Sequence, residues 1–192
     1  HQEKEPQKAM DTRLILVNNF PKSKYYNDTI SNLGFDYENI ADFDSAANYY
    51  EKLFSMDKEH SAAKEAIYSA ALFRKAMGDS TQAIKNYQAF ITTFPDDERV
   101  YDVRLTIAKI LEKYSKWEEA AKVYQNYFSS TEGKTVDQLY FARLHYGFAL
   151  EKQGKSAEAH WEKMIADYKV LQESGAKPSA ATEFVAQIMM KK

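Results

Sequence analysis

The stretch IYSAALFRKAMGDSTQAIKNYQAFITTFP, residues 67–95, decides the fold. Its first half sets Ile67, Ala70, Ala71, Arg74 and Met77 at three- and four-residue intervals, the spacing of one helix face. Gly78-Asp79 interrupts the run. Ala83, Ile84, Tyr87, Phe90, Ile91 and Phe94 then resume it until Pro95, which cannot continue a helix. Two short helices across a tight turn are expected. Ala71 and Ala83 are small enough to let their axes approach, and Tyr87 fills the space beside them.

The same device recurs along the chain. Ala9, Ala46, Ala83, Ala120 and Ala159 stand 37, 37, 37 and 39 residues apart by subtraction. A tyrosine follows the middle three by four residues, at Tyr50, Tyr87 and Tyr124. Short turns are expected at Ala41-Asp42-Phe43, Gly78-Asp79-Ser80, Ser115-Lys116-Trp117 and Gly154-Lys155-Ser156. Phe20-Pro21 and Phe94-Pro95 mark equivalent ends. Self-similarity at this period is the signature of a repeat array. Ser115 with Glu118 and Thr135 with Gln138 have capping-box spacing, and Ser61 and Ser80 read as caps.

These residues resemble the tetratricopeptide repeat family. Leu33-Gly34, Tyr37, Ala46 and Tyr50 follow its pattern of Leu-Gly, Tyr, Ala and then an aromatic. The second unit follows it through Ala71, Gly78-Asp79, Ala83, Tyr87 and Pro95, and the third through Ala108, Trp117, Ala120 and Tyr124. A fourth keeps Gly147, Leu150, Gly154 and Ala159 but has Lys163 where the aromatic is expected, so it reads as degenerate. The resemblance implies an all-α, right-handed superhelical solenoid of antiparallel helix pairs with about ten helices. Residues 1–22 read as the second helix of a preceding repeat, 23–60, 61–97, 98–134 and 135–174 as four repeats, and 179–192 as a capping helix with Phe184, Val185, Ile188 and Met189 on one side. The long step and the Phe-Pro endings are similar to bacterial envelope members of the family, which implies a periplasmic or outer-membrane-associated protein with further repeats upstream.

Composition narrows the function. Apolar residues at 44% exceed what disordered chains carry. A net charge of -2 lacks the cationic excess that neutralises phosphates, so nucleic acid is not an expected partner. Lys22-Ser23-Lys24-Tyr25-Tyr26 mixes cations with aromatics but is short, and a turn between repeats accounts for it. With no cysteine there is no disulfide, thiolate ligand or thiol nucleophile. No run approaches the ~18 apolar residues of a spanning helix, so no membrane insertion is expected.

No catalytic arrangement emerges either. The histidines His1, His60, His145 and His160 lack the His-Glu-x-x-His spacing that puts two ligands on one helix face. His145 and His160 lie on paired helices, but as a pair they read as structural. Glu118-Glu119 and Asp96-Asp97-Glu98 sit at helix starts, where the helix dipole explains acidic residues. No metal, cofactor or enzymatic activity is expected.

In the family the first helix of each pair lines the concave face and grips a partner. Carried over, that face comprises Asp28, Ser31, Phe35 and Glu38; Glu65, Tyr68, Leu72 and Lys75; Asp102, Leu105, Lys109 and Glu112; and Phe141, Leu144, Phe148 and Glu151. Phe35, Glu38, Tyr68, Leu72, Lys75, Leu105, Lys109, Glu112, Phe141 and Phe148 are the expected binding residues, with Leu105 and Leu144 equally readable as core. Of the cationic clamp some members use for peptide carboxylates, only Lys109 is in place. A scaffold that binds a peptide or protein, within a bacterial envelope assembly, is the leading expectation. The alternatives are a cytoplasmic regulatory or co-chaperone module and an accessory region of an enzyme.

Overall fold

The computed structural model describes residues 4–173, together with Ser179 and Glu183. Among the described residues there are nine helices and no strand. They are α1 (Lys4–Asn19), α2 (Tyr26–Asn39), α3 (Phe43–Met56), α4 (Ala63–Ala76), α5 (Ser80–Thr93), α6 (Val100–Lys113), α7 (Trp117–Phe128), α8 (Val136–Lys152) and α9 (Glu158–Glu173). The expected all-α fold of consecutive helix pairs is what forms. The expected capping helix at 179–192 lies outside the described residues. The chain divides into two compact units, residues 1–100 and 101–192.

One left-handed residue closes the first helix of each pair. Ala41, Gly78, Ser115 and Gly154 have φ of 60°, 86°, 57° and 72°. In this conformation the chain reverses within a few residues, and the carbonyls of the last helical turn still find donors. At Ser115, for instance, the Ser115 N–H reaches Glu112 O at 2.8 Å and the Lys116 N–H reaches Leu111 O at 2.9 Å. Glycine occupies this region without steric cost, whereas Ala41 and Ser115 hold it with a Cβ in conflict with the backbone.

Ser115 therefore ends α6 and does not cap α7, whose N-cap is Lys116. The cap of α5 is likewise one residue from the serine reading, and α3 is capped by Asp42. Asp42 accepts from the Ser45 N–H at 3.1 Å and Asp79 from the Gln82 N–H at 3.0 Å, so Ser80 is already helical. Ala62 caps α4 without a side-chain bond, so Ser61 is not its cap. Thr135 and Gln138 do form the reciprocal capping box that their spacing predicts.

In the first unit, Ile30, Leu33, Ala46, Ala47, Leu53 and Ala70 are fully buried around Tyr50. Gly34 makes this possible, since a Cβ there would lie 2.4 Å from the Tyr50 ring. The ring packs close against Gly34, and its hydroxyl donates to Glu38 Oε2 at 2.7 Å.

The second unit repeats the arrangement with a different spacing. Trp161 packs where a Cβ on Gly147 would stand, and its indole N–H donates to Glu151 at 2.9 Å. Ala157 and Trp161 are buried, whereas Ala159 and Lys163 are exposed. This corrects the repeat register. The small residue of the last pair is Ala157, 37 residues after Ala120, and its aromatic is Trp161 in place of a residue at 163.

Candidate functional site

The acidic residues expected on the first-helix face mostly have other work. Asp28, Glu65 and Asp102 stand 37 residues apart by subtraction, each near the start of a first helix. Each reaches forward to a donor at or just before the next first helix. Asp28 meets His60 Nε2 at 3.0 Å, Glu65 takes two bonds of 2.8 Å from Arg99, and Asp102 accepts from Gln138 at 2.9 Å. Asp28 and Asp102 each staple a pair to the next within their own unit, and Glu65 ties α4 to the segment that follows α5. The 37-residue step in the sequence was the signal that could have found them.

Arg99 is the centre of the strongest staple. Its guanidinium donates to both oxygens of Glu65 and to Asp97, and its plane lies 4.5 Å from the Tyr68 ring centroid. Hydrogen bonds from Arg99 hold the Asp97 carboxyl far below its ordinary range, although burial opposes this. Asp97 also pairs with Lys64 at 3.1 Å. The Asp96–Glu98 cluster is thus more than a helix-dipole feature.

Tyr68 packs against Arg99, Tyr87 and Phe90. Its ring lies 6.3 Å from Tyr87 and 5.3 Å from Phe90. Tyr68 is half-buried, as is Leu72, while Lys75 is exposed on α4. Phe35 differs sharply, being 58% exposed although it is a large apolar side chain. Glu38 is held by the Tyr50 hydroxyl. In the first unit, then, Phe35 and Lys75 are exposed, as are Asp28 and Glu65, whose carboxylates are held in the staples.

The second unit brings its candidates into one row. Lys109 Nζ stands 4.5 Å over the Phe141 ring. Phe141 lies 4.1 Å from the His145 ring, and His145 meets Phe148 at 6.1 Å in an edge contact. His145 Nδ1 lies 3.0 Å from both oxygens of Glu112. A carboxylate can only accept, so Nδ1 carries the hydrogen and the tautomer is set. Phe148 continues the row to Trp161 at 5.7 Å. Leu105 and Leu144 are buried, each 7% exposed, and belong to the packing rather than to a face open to a partner.

The first unit also holds a buried cation. Arg74 is 8% exposed and donates to both oxygens of Glu51, to Asp44 and to Asn48, at 2.6–2.9 Å. Burial pushes the Glu51 carboxyl up, but the bonds from Arg74 and Asn86 and the Arg74 charge outweigh it and leave it below its usual range. Among the described residues no three His, Asp or Glu side chains gather into a metal-holding group. No helix among them is long and apolar enough to cross a membrane.

Residues 65–97 match the family model described as tetratricopeptide repeat. They span the Glu65–Arg99 staple's acid, both helices of the second pair and the Phe94-Pro95 ending. No curated protein matches the chain. Among solved structures, the MamA protein is similar over 92% of this chain and 90% of its own, at 17% identity and a TM-score of 0.53. A putative kinesin light chain from Podosopora anserina, with nearly identical TPR-like repeats, covers 92% of each chain at 11% identity and a TM-score of 0.54. BtubC (BKLC) from P. vanneervenii covers 93% of this chain and 78% of its own, at 16% identity and a TM-score of 0.51. At these identities the likeness is one of fold.

Proposed function

We infer that this tetratricopeptide-repeat chain, so assigned by its matched repeat and its fold, is a protein-interaction scaffold that grips a partner's peptide segment on its first helices. The single observation that carries the site is the row Lys109, Phe141, His145 and Glu112. A half-buried aromatic ring, with a cation over its face and a neighbour fixed by a charge-assisted bond, is a preorganised contact. Lys109 is itself exposed, so its ammonium keeps hydrogen-bonding capacity for a carboxylate of the partner. The first unit offers the same pairing of chemistries on its own first helices, an exposed Phe35 and an exposed Lys75. The partner segment is therefore apolar with interspersed acidic residues. Repeat scaffolds of this kind are generally non-catalytic, and a scaffold without catalysis is the role proposed.

The long repeat step and the Phe-Pro endings support a place in a bacterial envelope assembly. Affinity capture tests both parts of the reading. Wild-type protein and a Phe35→Ala/Lys109→Ala variant are immobilised, and proteins retained from envelope and cytoplasmic fractions are quantified. The expected result is an envelope partner reduced at least ~10-fold on the variant, since truncating exposed anchors removes ~1–2 kcal/mol or more. Equal recovery of every partner on both baits would remove the first-helix face from consideration, and partners confined to the cytoplasmic fraction would remove the envelope.

A further inference from the structure

A second pocket lies away from the first-helix row. A cavity of about 410 Å³ opens among α7, α8 and α9, and neither Phe141 nor Phe148 lines it. That volume is within the range of small-ligand sites. Three rings form its wall. Phe128 and Tyr146 meet edge-on at 5.3 Å and Tyr146 and His160 at 5.0 Å, while Phe128 and His160 lie tilted at 6.1 Å. Met164, 1% exposed, also lines it. Edges and faces set at these angles accept a further flat ring in offset or edge contact.

The charges about the pocket are unequal. Arg143 pairs with Asp167 at 2.9 Å, and its guanidinium lies 5.9 Å from the Phe128 ring centroid. Lys163 is exposed and forms no ion pair among the described residues. One positive charge is left uncompensated in the lining. His160 adds none. Its Nε2 lies 2.8 Å from the Arg143 carbonyl, which can only accept, so Nε2 carries the hydrogen. Burial, with the charges of Arg143 and Lys163, pushes the imidazole below its usual range, so it stays a neutral ring near pH 7.

We propose that this pocket binds an aromatic ring bearing a nearby carboxylate, the ring against the wall of Phe128, Tyr146 and His160 and the carboxylate at Lys163. The ligand is a free aromatic acid or the C-terminal aromatic residue of a protein, which share this chemistry. The inference is independent of the first-helix face and stands or falls without it.

The probes are 3-phenylpropionate, 3-phenylpropionamide, and a short glycine peptide ending in phenylalanine, as the acid and as the amide. The readout is the ring-proton shifts of the histidines in the full chain. 3-Phenylpropionate should shift His160 saturably with a low-millimolar dissociation constant, the value a ligand of this size reaches at ordinary efficiency. His60 and His145 should not move. The amide should bind at least ~5-fold more weakly, and Lys163→Glu, an exposed substitution that leaves the fold intact, should cost a similar factor. Tighter binding of the peptide acid identifies a protein terminus as the source; tighter binding of the free acid identifies a small molecule. No saturable His160 shift from any probe, or equal binding of acid and amide, overturns the proposal.

Discussion

Replacing Gly34 by alanine sets two effects of opposite sign against each other, and the structure decides between them. In an open helix the change stabilises by ~1 kcal/mol, because alanine loses less backbone freedom than glycine. Here the new Cβ would stand 2.4 Å from Tyr50 Cε1 and 2.5 Å from Cδ1, against the ~3.5–4.0 Å of ordinary carbon contacts. The ring has nowhere inexpensive to go. It is 8% exposed, is backed by Phe73 at 6.4 Å and is tied by its hydroxyl to Glu38. Overpacking costs ~1–3 kcal/mol, and a strained charged hydrogen bond adds ~1 kcal/mol or more. After subtracting the propensity gain, Gly34→Ala should destabilise by ~1–3 kcal/mol. Urea unfolding followed by far-ultraviolet circular dichroism measures this. The control is the same change in a Tyr50→Ala background, where the clash is gone and Gly34→Ala should be neutral or stabilising. A coupling of ~2–3 kcal/mol between the sites is expected. If Gly34→Ala raises the midpoint, or acts equally in both backgrounds, the close approach of α2 and Tyr50 is wrong.

Further outcomes follow from the turns, the caps and the buried cation. Ser115→Gly should raise stability by ~0.5–1 kcal/mol by removing a Cβ from a left-handed residue, and a lower urea midpoint would contradict that conformation. Thr135→Ala should cost ~1 kcal/mol through loss of the capping box, while Ser80→Ala, inside its helix, should cost much less; comparable losses would return the cap to Ser80. Arg74→Met should destabilise by ~2–4 kcal/mol, because Glu51 is left partly buried without its partner. Glu51, Glu65 and Asp97 all have depressed folded-state values, so their contribution is present above the unfolded carboxylate range of ~4 and is lost as pH falls through the lower folded values. Arg74→Met should therefore flatten the acid side of the stability profile, and an unchanged slope would detach Glu51 from it. An acidic C-terminal peptide should bind no better than a scrambled one, since Lys109 is the only clamp position filled; calorimetry showing a clear preference would restore the clamp.

The helix pairs were legible because they are written locally. The three- and four-residue spacing around Ala83 and Tyr87, and turns whose left-handed residues fall at 41, 78, 115 and 154, need no knowledge of distant contacts. The last repeat was misread because spacing was counted where geometry had changed. The Gly-to-aromatic interval is 16 residues from Gly34 to Tyr50 but 14 from Gly147 to Trp161, after an α8 of 17 residues where α2, α4 and α6 have 14. The 37-residue step from Ala120 lands on the buried Ala157, whereas Ala159, which faces solvent, stands 39 residues on and 12 after Gly147, as Ala46 stands after Gly34. The cap of α5 was missed by one residue because Ser80 was weighed without the left-handed Gly78 before it, which hands the role to Asp79.

The candidate face was legible in part. The carry-over from the family singled out Phe35, Lys109, Phe141 and Phe148, which the structure leaves exposed or half-buried, but it could not separate open side chains from staples. Tyr68 and Glu65 are committed to Arg99, and Glu38 to Tyr50; all of these bonds lie between residues far apart in sequence. Tyr68→Ala is accordingly a poor probe of binding, because it would open the Arg99 and Phe90 cluster.

The central claim is that a partner's apolar, acidic segment is read by the first helices. Selection of a random peptide library on the wild-type protein, followed by binding of the enriched peptides to Phe35→Ala, Lys109→Ala and Lys163→Glu variants, tests it most directly. The account expects enriched peptides to carry apolar residues with acidic neighbours, to lose ~10-fold or more in affinity on Phe35→Ala or Lys109→Ala, and to keep it on Lys163→Glu. Enriched peptides that bind all three variants as they bind wild type would contradict it.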